Sequence, residues 1–384
     1  MNQRTLFIGG TIYTVGGPWQ EAWLLVADGK IAGLGQGQPP VITDAQAIEL
    51  NGCALVPGLI DLHVHGALGR DAMEPDPQAL VVMARYYAQH GVTSFLASTI
   101  TASREAIEVA LANIGAAMQQ DTGGAQLLGA HLEGPFIDTE RRGAHDIAQI
   151  RLASSNEYEA YLRTGVIKLL TVAPEYPENQ QLITSAVEHG ITVALGHSRA
   201  SYEQVCQAVV LGARQVTHLF NGMEPLHHRQ PGVVGAALTQ PALCCELIAD
   251  LVHVAAPVLQ LALRAKGTDG IVLVTDAMSG AGMPDGVYLL GGDTVTVRDG
   301  IARIASGALA GSTLSLERGL NNMMHACQLT LAEALPMATA NPARQLGLDR
   351  KGRIACGCDA DLVVLAEGKV LLTMVQGRIV YRVM

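Results

Sequence analysis

The chain lacks several features, and each absence removes a class of function. It has no uninterrupted apolar run near ~20 residues, although hydrophobic residues make up 49% and mean hydropathy is +0.26. Its most apolar stretches are broken early by Asp, Glu, Arg or His, so a membrane-spanning reading is set aside. It has no excess of basic residues. The net charge of −10 argues against a general nucleic-acid surface, which needs clustered Lys and Arg. It has no CxxC pair among its 7 cysteines, which predicts reduced thiols buried as small apolar residues. The start, MNQRTLFIGGTIYTVGG, carries no apolar leader segment, and a cytoplasmic protein is expected. There is neither a GxxxxGK[ST] phosphate loop nor a GxSxG nucleophile elbow. Low-complexity segments and long linkers are also missing.

What is present is a repeated alternation. Residues 1–56 read as short β-rich runs with turn signals, among them Asp28-Gly29, a hairpin pair. From about Val56 to Leu348, eight short apolar runs alternate with helical stretches. The runs are LIDLHVHG, VTSFLAST, LLGAHLEGP, IKLLTVAPE, ITVALGHS, RQVTHLFN, CCELIADLVHV and GIVLVTDAM. QALVVMARYYAQHG and SYEQVCQAVVLGA are typical of the intervening helices. Continuous apolar strands between helices mark a parallel sheet covered on both faces. Eight repeats in roughly 250 residues predict an α/β fold, a (β/α)8 TIM barrel, over 57–348. The tail, 349–384, returns to β pattern. It is expected to pair with 1–56 in a small β-sandwich domain built from both termini.

Polar residues fall at the C-terminal ends of these runs, where catalytic groups of such barrels sit. His63 and His65 end the first run, and residues i and i+2 of a strand share a face. Glu133 ends the third, His197 the fifth, His218 the sixth and Asp276 the eighth. Each has a bland reading. Glu133 fits a helix N-terminal acid before Gly134-Pro135, His197 and Asp276 fit caps, and a single His is more often structural than a ligand. For all six to land at strand ends by accident is a poor explanation. Four imidazoles and two carboxylates form a ligand set for divalent metal, Zn²⁺ or Fe²⁺, in one or two ions bridged by Glu133. Water activated by such a site points to hydrolysis of an amide, a cyclic amide or an amidine-like carbon.

The blocks HVHG, HLEGP, GHS, THLFN and TDAM, in this order and spacing, resemble the amidohydrolase superfamily. The longer stretches HLEGPFID…RRGAHD, THLFNGMEPLHHRQPGVVGAAL, ELIADLVHV and AGSTLSLERGLNNM resemble its N-acetylglucosamine-6-phosphate deacetylase branch, over about Gly10–Val380. The resemblance implies a homodimeric enzyme of amino-sugar catabolism. It would remove the N-acetyl group of N-acetyl-D-glucosamine 6-phosphate with a bound divalent metal. Glu133, His197 and His218 match the main metal's ligands, and His63 and His65 match the pair found in two-metal members. Asp276 matches the catalytic acid/base. His145 matches the residue that steadies the acetyl oxygen, a role its position in a polar loop would not suggest. Asn221, Gly222, Arg229 and His253 match phosphate-binding positions, and one such contact can come from a partner subunit. Two departures border the sugar site: Met278-Ser279-Gly280 after the acid/base, and Leu251-Val252 before His253, where glycine is often seen.

Three rival readings are open. A cyclic amidase would bridge its metals with a carboxylated lysine at the end of the fourth run. That run ends TVAPE, and its lysine, Lys168, lies near its start. The same chemistry on N-acetylgalactosamine 6-phosphate differs by one hydroxyl orientation. A non-catalytic interaction protein would normally have lost ligands, and all six are present.

Overall fold

A computed structural model describes residues 4–383. All eight apolar runs become strands of one sheet: Leu59–Val64, Val92–Ser98, Gln126–Glu133, Ile167–Val172, Thr192–Leu195, Gln215–Val216, Cys244–Ile248 and Ile271–Val274. Their spatial order follows the chain order, and every pairing is parallel. The last strand returns to the first. Val64 and Ala277 form a parallel bridge, the Asp276 N–H donates to the His63 carbonyl at 2.9 Å, and the His65 N–H donates to that of Ala277 at 2.7 Å. Deeper in the seam, the Asp61 carboxylate accepts the Thr275 hydroxyl at 2.7 Å. The sheet is therefore a closed barrel.

Helices follow the strands in turn: Gln78–Gln89, Arg104–Ala117, Ser155–Leu162, Pro177–Glu188, Tyr202–Leu211, Gly232–Thr239, Ala256–Lys266 and Leu316–Cys327. Local chemistry sets their starts. Ser103 caps one through its side chain, Ser201 and Gln204 form a capping box, and proline opens two others. Ile107, Leu111 and Ile114 show the i, i+4, i+7 spacing that turns one face inward, and all three are buried. The main core joins this inner face to outward strand residues such as Phe95, Leu132, Leu170 and Leu273. Gly58 is needed where the chain enters the first strand, because a Cβ there would lie 2.1 Å from the Thr93 hydroxyl.

The terminal segments form two further sheets. Arg4–Ile8, Ala22–Ala27, Lys30–Gln36 and Ala45–Glu49 make a four-stranded one. The hairpin turn at Asp28-Gly29 has both residues at positive φ, as a type I′ turn requires. The other sheet mixes the two chain ends, with Leu362–Ala366 antiparallel to Ala54–Pro57. One buried cluster, including Phe7, Leu24, Leu55, Val364 and Leu372, draws from both sheets. A three-stranded antiparallel unit, Gly286–Leu290, Asp293–Arg298 and Ile301–Arg303, is inserted before the helix Leu316–Cys327 and was not anticipated. Among the described residues no helix is long and apolar enough to cross a membrane.

Candidate active site

Three strands stop short of the polar residues they deliver. The fifth ends at Leu195 and the sixth at Val216, two residues before His197 and His218. The eighth ends at Val274, two before Asp276. His197, His218 and Asp276 all take positive φ, of 48°, 28° and 51°. The chain turns sharply off each strand, and the side chain lies over the barrel mouth. His63 and His65 project from the closing seam, and Glu133 is the last residue of its strand.

The six side chains meet around Glu133. Its Oε1 lies 3.1 Å from both His197 Nε2 and His218 Nε2. Its Oε2 lies 3.1 Å from His65 Nε2 and 3.4 Å from His63 Nε2. Asp276 Oδ1 is 3.3 Å from His65 Nε2 and 3.6 Å from His63 Nε2. The ligand atoms thus form two triads sharing one carboxylate, His63/His65/Glu133 and Glu133/His197/His218, each within 4.8 Å.

Tautomers show whether these groups fit cations. His197 Nδ1 is 2.8 Å from the Arg141 carbonyl, and His218 Nδ1 is 3.1 Å from that of Asn221. A carbonyl only accepts, so both protons sit on Nδ1. Two bare Nε2 lone pairs then face each other at 3.0 Å. That arrangement is repulsive unless a positive charge lies between them. Burial would lift the Glu133 carboxyl, but the imidazoles of His63, His197 and His218 hold it well below the usual carboxylate range. Burial would also lower the His65 imidazole, yet hydrogen bonds to Asp276 and Glu133 push it up to about 9. The mouth attracts positive charge, and the donor set of imidazoles and carboxylates suits zinc or iron.

His145 is buried beside this cluster, with Nε2 at 3.7 Å from Glu133 Oε2. Its Nδ1 accepts the Thr101 backbone N–H at 3.2 Å and faces the Thr101 hydroxyl at 2.7 Å. Its own proton is therefore on Nε2. Burial, then the neighbouring His197, holds its pKa well below the usual range, so it is a neutral donor. A cavity of ≈ 250 Å³ opens over the cluster. Asn221, Gly222 and His253 also line it. His253 Nδ1 is anchored to Asp250 at 2.7 Å. Gly222 must be glycine, at φ +62°, because a Cβ would lie 2.8 Å from His197 Nδ1. Arg229 is the exception among the sequence-derived positions. It is exposed, with its guanidinium 2.8 Å from His228 Nε2, and it does not line the cavity of its own chain. The fold explains this, since residues 227–230 turn back on themselves in a tight bridged loop. Lys168 is also remote from the cluster: its amine bonds the Gly165 carbonyl in an exposed setting, while Glu133 stands between the two histidine pairs.

Residues 54–380 match the Amidohydrolase family. The chain belongs to the amidohydrolase family. It is 39% identical to the N-acetylglucosamine-6-phosphate deacetylase of Lysinibacillus sphaericus, with 96% of each chain covered. It is 40% identical to the N-acetylgalactosamine-6-phosphate deacetylase of Escherichia coli O157:H7, over 91% of this chain and 93% of that one. Among solved structures it resembles a Mycobacterium smegmatis N-acetyl-D-glucosamine-6-phosphate deacetylase mutant in complex with N-acetyl-D-glucosamine-6-phosphate. There the TM-score is 0.93 at 32% identity, covering 98% of this chain and 99% of that one.

This amidohydrolase also uses residues that sequence reasoning passed over. Thr101 fixes the tautomer of His145, and Asp250 orients His253. Ile100 and Leu290 line the cavity as apolar walls. Asp61 and Glu246 stand fully buried behind the ligands. A charged residue inside an otherwise apolar strand, as in LIDLHV and CCELI, was the available signal for the last two.

Proposed function

We infer that the chain hydrolyses the N-acetyl group of N-acetyl-D-glucosamine 6-phosphate to D-glucosamine 6-phosphate and acetate. The observation that carries this reading is Glu133 standing between two histidine pairs, with Asp276 and His145 at the edge of the same cavity. His63, His65 and Glu133 would hold one divalent ion, and Glu133, His197 and His218 a second; zinc is our assignment, with iron(II) the other candidate. Such ions supply Lewis acidity toward the acetyl carbonyl and toward water at neutral pH.

The remaining work falls to side chains. Asp276 is held as a carboxylate beside His65 and His63, and is placed to take a proton from attacking water. It then returns that proton to the amine nitrogen, which leaves poorly unless protonated. His145 Nε2–H is aimed at the cavity and is suited to the negative charge that builds on the acetyl oxygen. Asn221, Gly222 and His253 form the phosphate end. Among the described residues the Gly222 N–H has no protein acceptor, and His253 keeps Nε2 free because Asp250 takes Nδ1. Arg229 is assigned to the phosphate of a second copy in a homodimer, because it stands away from its own cavity.

The galacto epimer is a second reading, favoured by the 40% identity to an enzyme of that name. Acetate release from N-acetylglucosamine and N-acetylgalactosamine, each with and without 6-phosphate, tests both. The expected result is fastest turnover of N-acetylglucosamine 6-phosphate and little activity without phosphate. Hydrolysis of cyclic amides with no acetate released from any sugar would overturn the reading.

A further inference from the structure

Four carboxylates lie buried among or just behind the ligands, Asp61, Glu133, Asp276 and Glu246, and among the described residues none has a Lys or Arg partner; Asp61 is turned to Thr275. Glu133 and Asp276 face the cavity, but Glu246 does not line it. Glu246 sits in the seventh strand with 0% exposure, behind His63. Its Oε2 is 3.2 Å from His63 Nδ1 and accepts the His218 backbone N–H at 3.2 Å. Its Oε1 accepts the Gln215 side-chain amide at 2.5 Å.

The Gln215 NH₂ and the His218 backbone N–H can only donate, so Glu246 is the acceptor at both oxygens. Gln215 leaves its own Oε1 buried without a partner in order to donate. An unpaired buried acceptor is costly, and the arrangement makes sense against a full negative charge. His63 must then carry its proton on Nδ1. Its bare Nε2 points to the ion position, 3.2 Å from His65 Nε2 and 3.4 Å from Glu133 Oε2.

The other ligands lack this support. His197 and His218 donate Nδ1–H to neutral carbonyls. Among the described residues His63 is the only ligand histidine with its Nδ1 backed by a carboxylate, and a carboxylate behind an imidazole strengthens it as a ligand. We propose that Glu246 is the positioning residue that secures the ion at His63, His65 and Glu133, so that the chain holds two ions rather than one. It fixes the tautomer and ring plane of His63 and adds negative charge behind that half of the site. The other half depends on Glu246 only through one backbone N–H. The inference rests on the metal-dependent reading above.

The test is metal counting. Parent and Glu246→Gln are stripped with chelator, reloaded with Zn²⁺, desalted and measured by elemental mass spectrometry. Competition with a chromophoric chelator gives each affinity. Glu246→Gln is isosteric, and a flipped Gln215 amide can meet the new NH₂ with its orphan Oε1, so the variant is expected to fold. The expected result is two ions per parent chain and one per variant, with the weaker affinity reduced about 10- to 100-fold. The tighter affinity and the melting temperature of the metal-free protein should be unchanged. Glu246→Asp, which keeps the charge with a shorter reach, should lie between the two and serves as the readout if the Gln variant does not fold. A variant that binds two ions with parental affinities overturns the inference, and so does one that loses both equally. A parent that holds one ion refutes it and leaves the hydrolase reading standing. A parent that holds none removes both.

Discussion

Replacing Asp276 with Asn separates proton transfer from the residue's structural duties. The backbone of Asp276 helps close the barrel: its N–H donates to the His63 carbonyl at 2.9 Å, and its carbonyl accepts the Ser312 N–H at 2.7 Å. Both bonds survive the change. Its φ of 51° is one that Asn tolerates better than most residues, so Asn is a gentler probe than Ala. What disappears is the charge and the proton acceptor. Burial alone would push this carboxyl up, but His63 and His65 hold it below the usual carboxylate range, so in the parent it stands ionised. Losing an acid/base group typically costs about 10²- to 10⁴-fold, or about 2.7–5.4 kcal/mol of transition-state stabilisation at about 1.36 kcal/mol per decade. The assay is acetate release at saturating substrate, with metal content and thermal melting measured on the same preparation. The expected outcome is a kcat at least ~10²-fold lower, with fold and metal retained. Turnover within tenfold of the parent, with metal in place, would refute the assignment.

Other changes probe the surroundings. Thr101→Val removes the hydroxyl beside His145 Nδ1 and leaves the backbone N–H, so kcat should fall by roughly two- to twelvefold, the worth of about 0.5–1.5 kcal/mol, with KM little changed; an unchanged kcat would remove Thr101 from the argument. Lys351→Met breaks a buried ion pair with Asp361, 2.5 Å long, and leaves that carboxylate unpaired beside the strand Leu362–Ala366. Urea unfolding should show a loss of about 3–5 kcal/mol, and a near-neutral variant would show that water reaches the pair. Leu251 sits at φ 67° with 46% exposure, where departure from glycine is unusual. Leu251→Gly should relieve about 1–2 kcal/mol of left-handed strain against about 0.5–1 kcal/mol of added chain entropy. A gain of a few degrees in thermal melting is expected, and a loss would mean that the leucine side chain is held by packing.

The barrel was legible because its strands are continuous apolar runs set at regular intervals. Their ends were less so. RQVTHLFN reads as a strand through Asn221, but the ladder stops at Val216, since His218 and Phe220 turn to positive φ. The inserted unit at 286–303 carried a signal that was passed over. VYLL and TVTVR alternate, and Gly291-Gly292 and Asp299-Gly300 mark turns. The metal cluster was legible because strand ends of a closed sheet must converge. His145 was not, because it arrives on a loop between the third strand and its helix, and no periodicity reports where such a loop folds back. Arg229 differs again: the fold of its own chain turns it away from its own cavity, so a role at a phosphate would need a second copy.

The strained backbone at the mouth and the closure of the barrel turn out to be one set of contacts. His197, His218 and Asp276 each sit in a region that disfavours L-residues, at a cost of order 1–3 kcal/mol apiece. Each is held there by a bond from a neighbouring segment. The His197 carbonyl accepts the Asp138 N–H at 2.8 Å, the His218 N–H goes to Glu246, and the Asp276 N–H goes to His63. Two of these clamps come from segments that deliver other ligands, and the third comes from Glu246, which stands behind His63. A side chain thus reaches the cation position only when the adjacent strand is in register, and the register is fixed only when the turn is made. A slip of one residue in the seventh strand would carry Glu246 to the outer face and release both His63 and His218. Ligand geometry here is a property of the closed barrel, which is why residues distant in sequence hold their nitrogens and oxygens within 4.8 Å of one another.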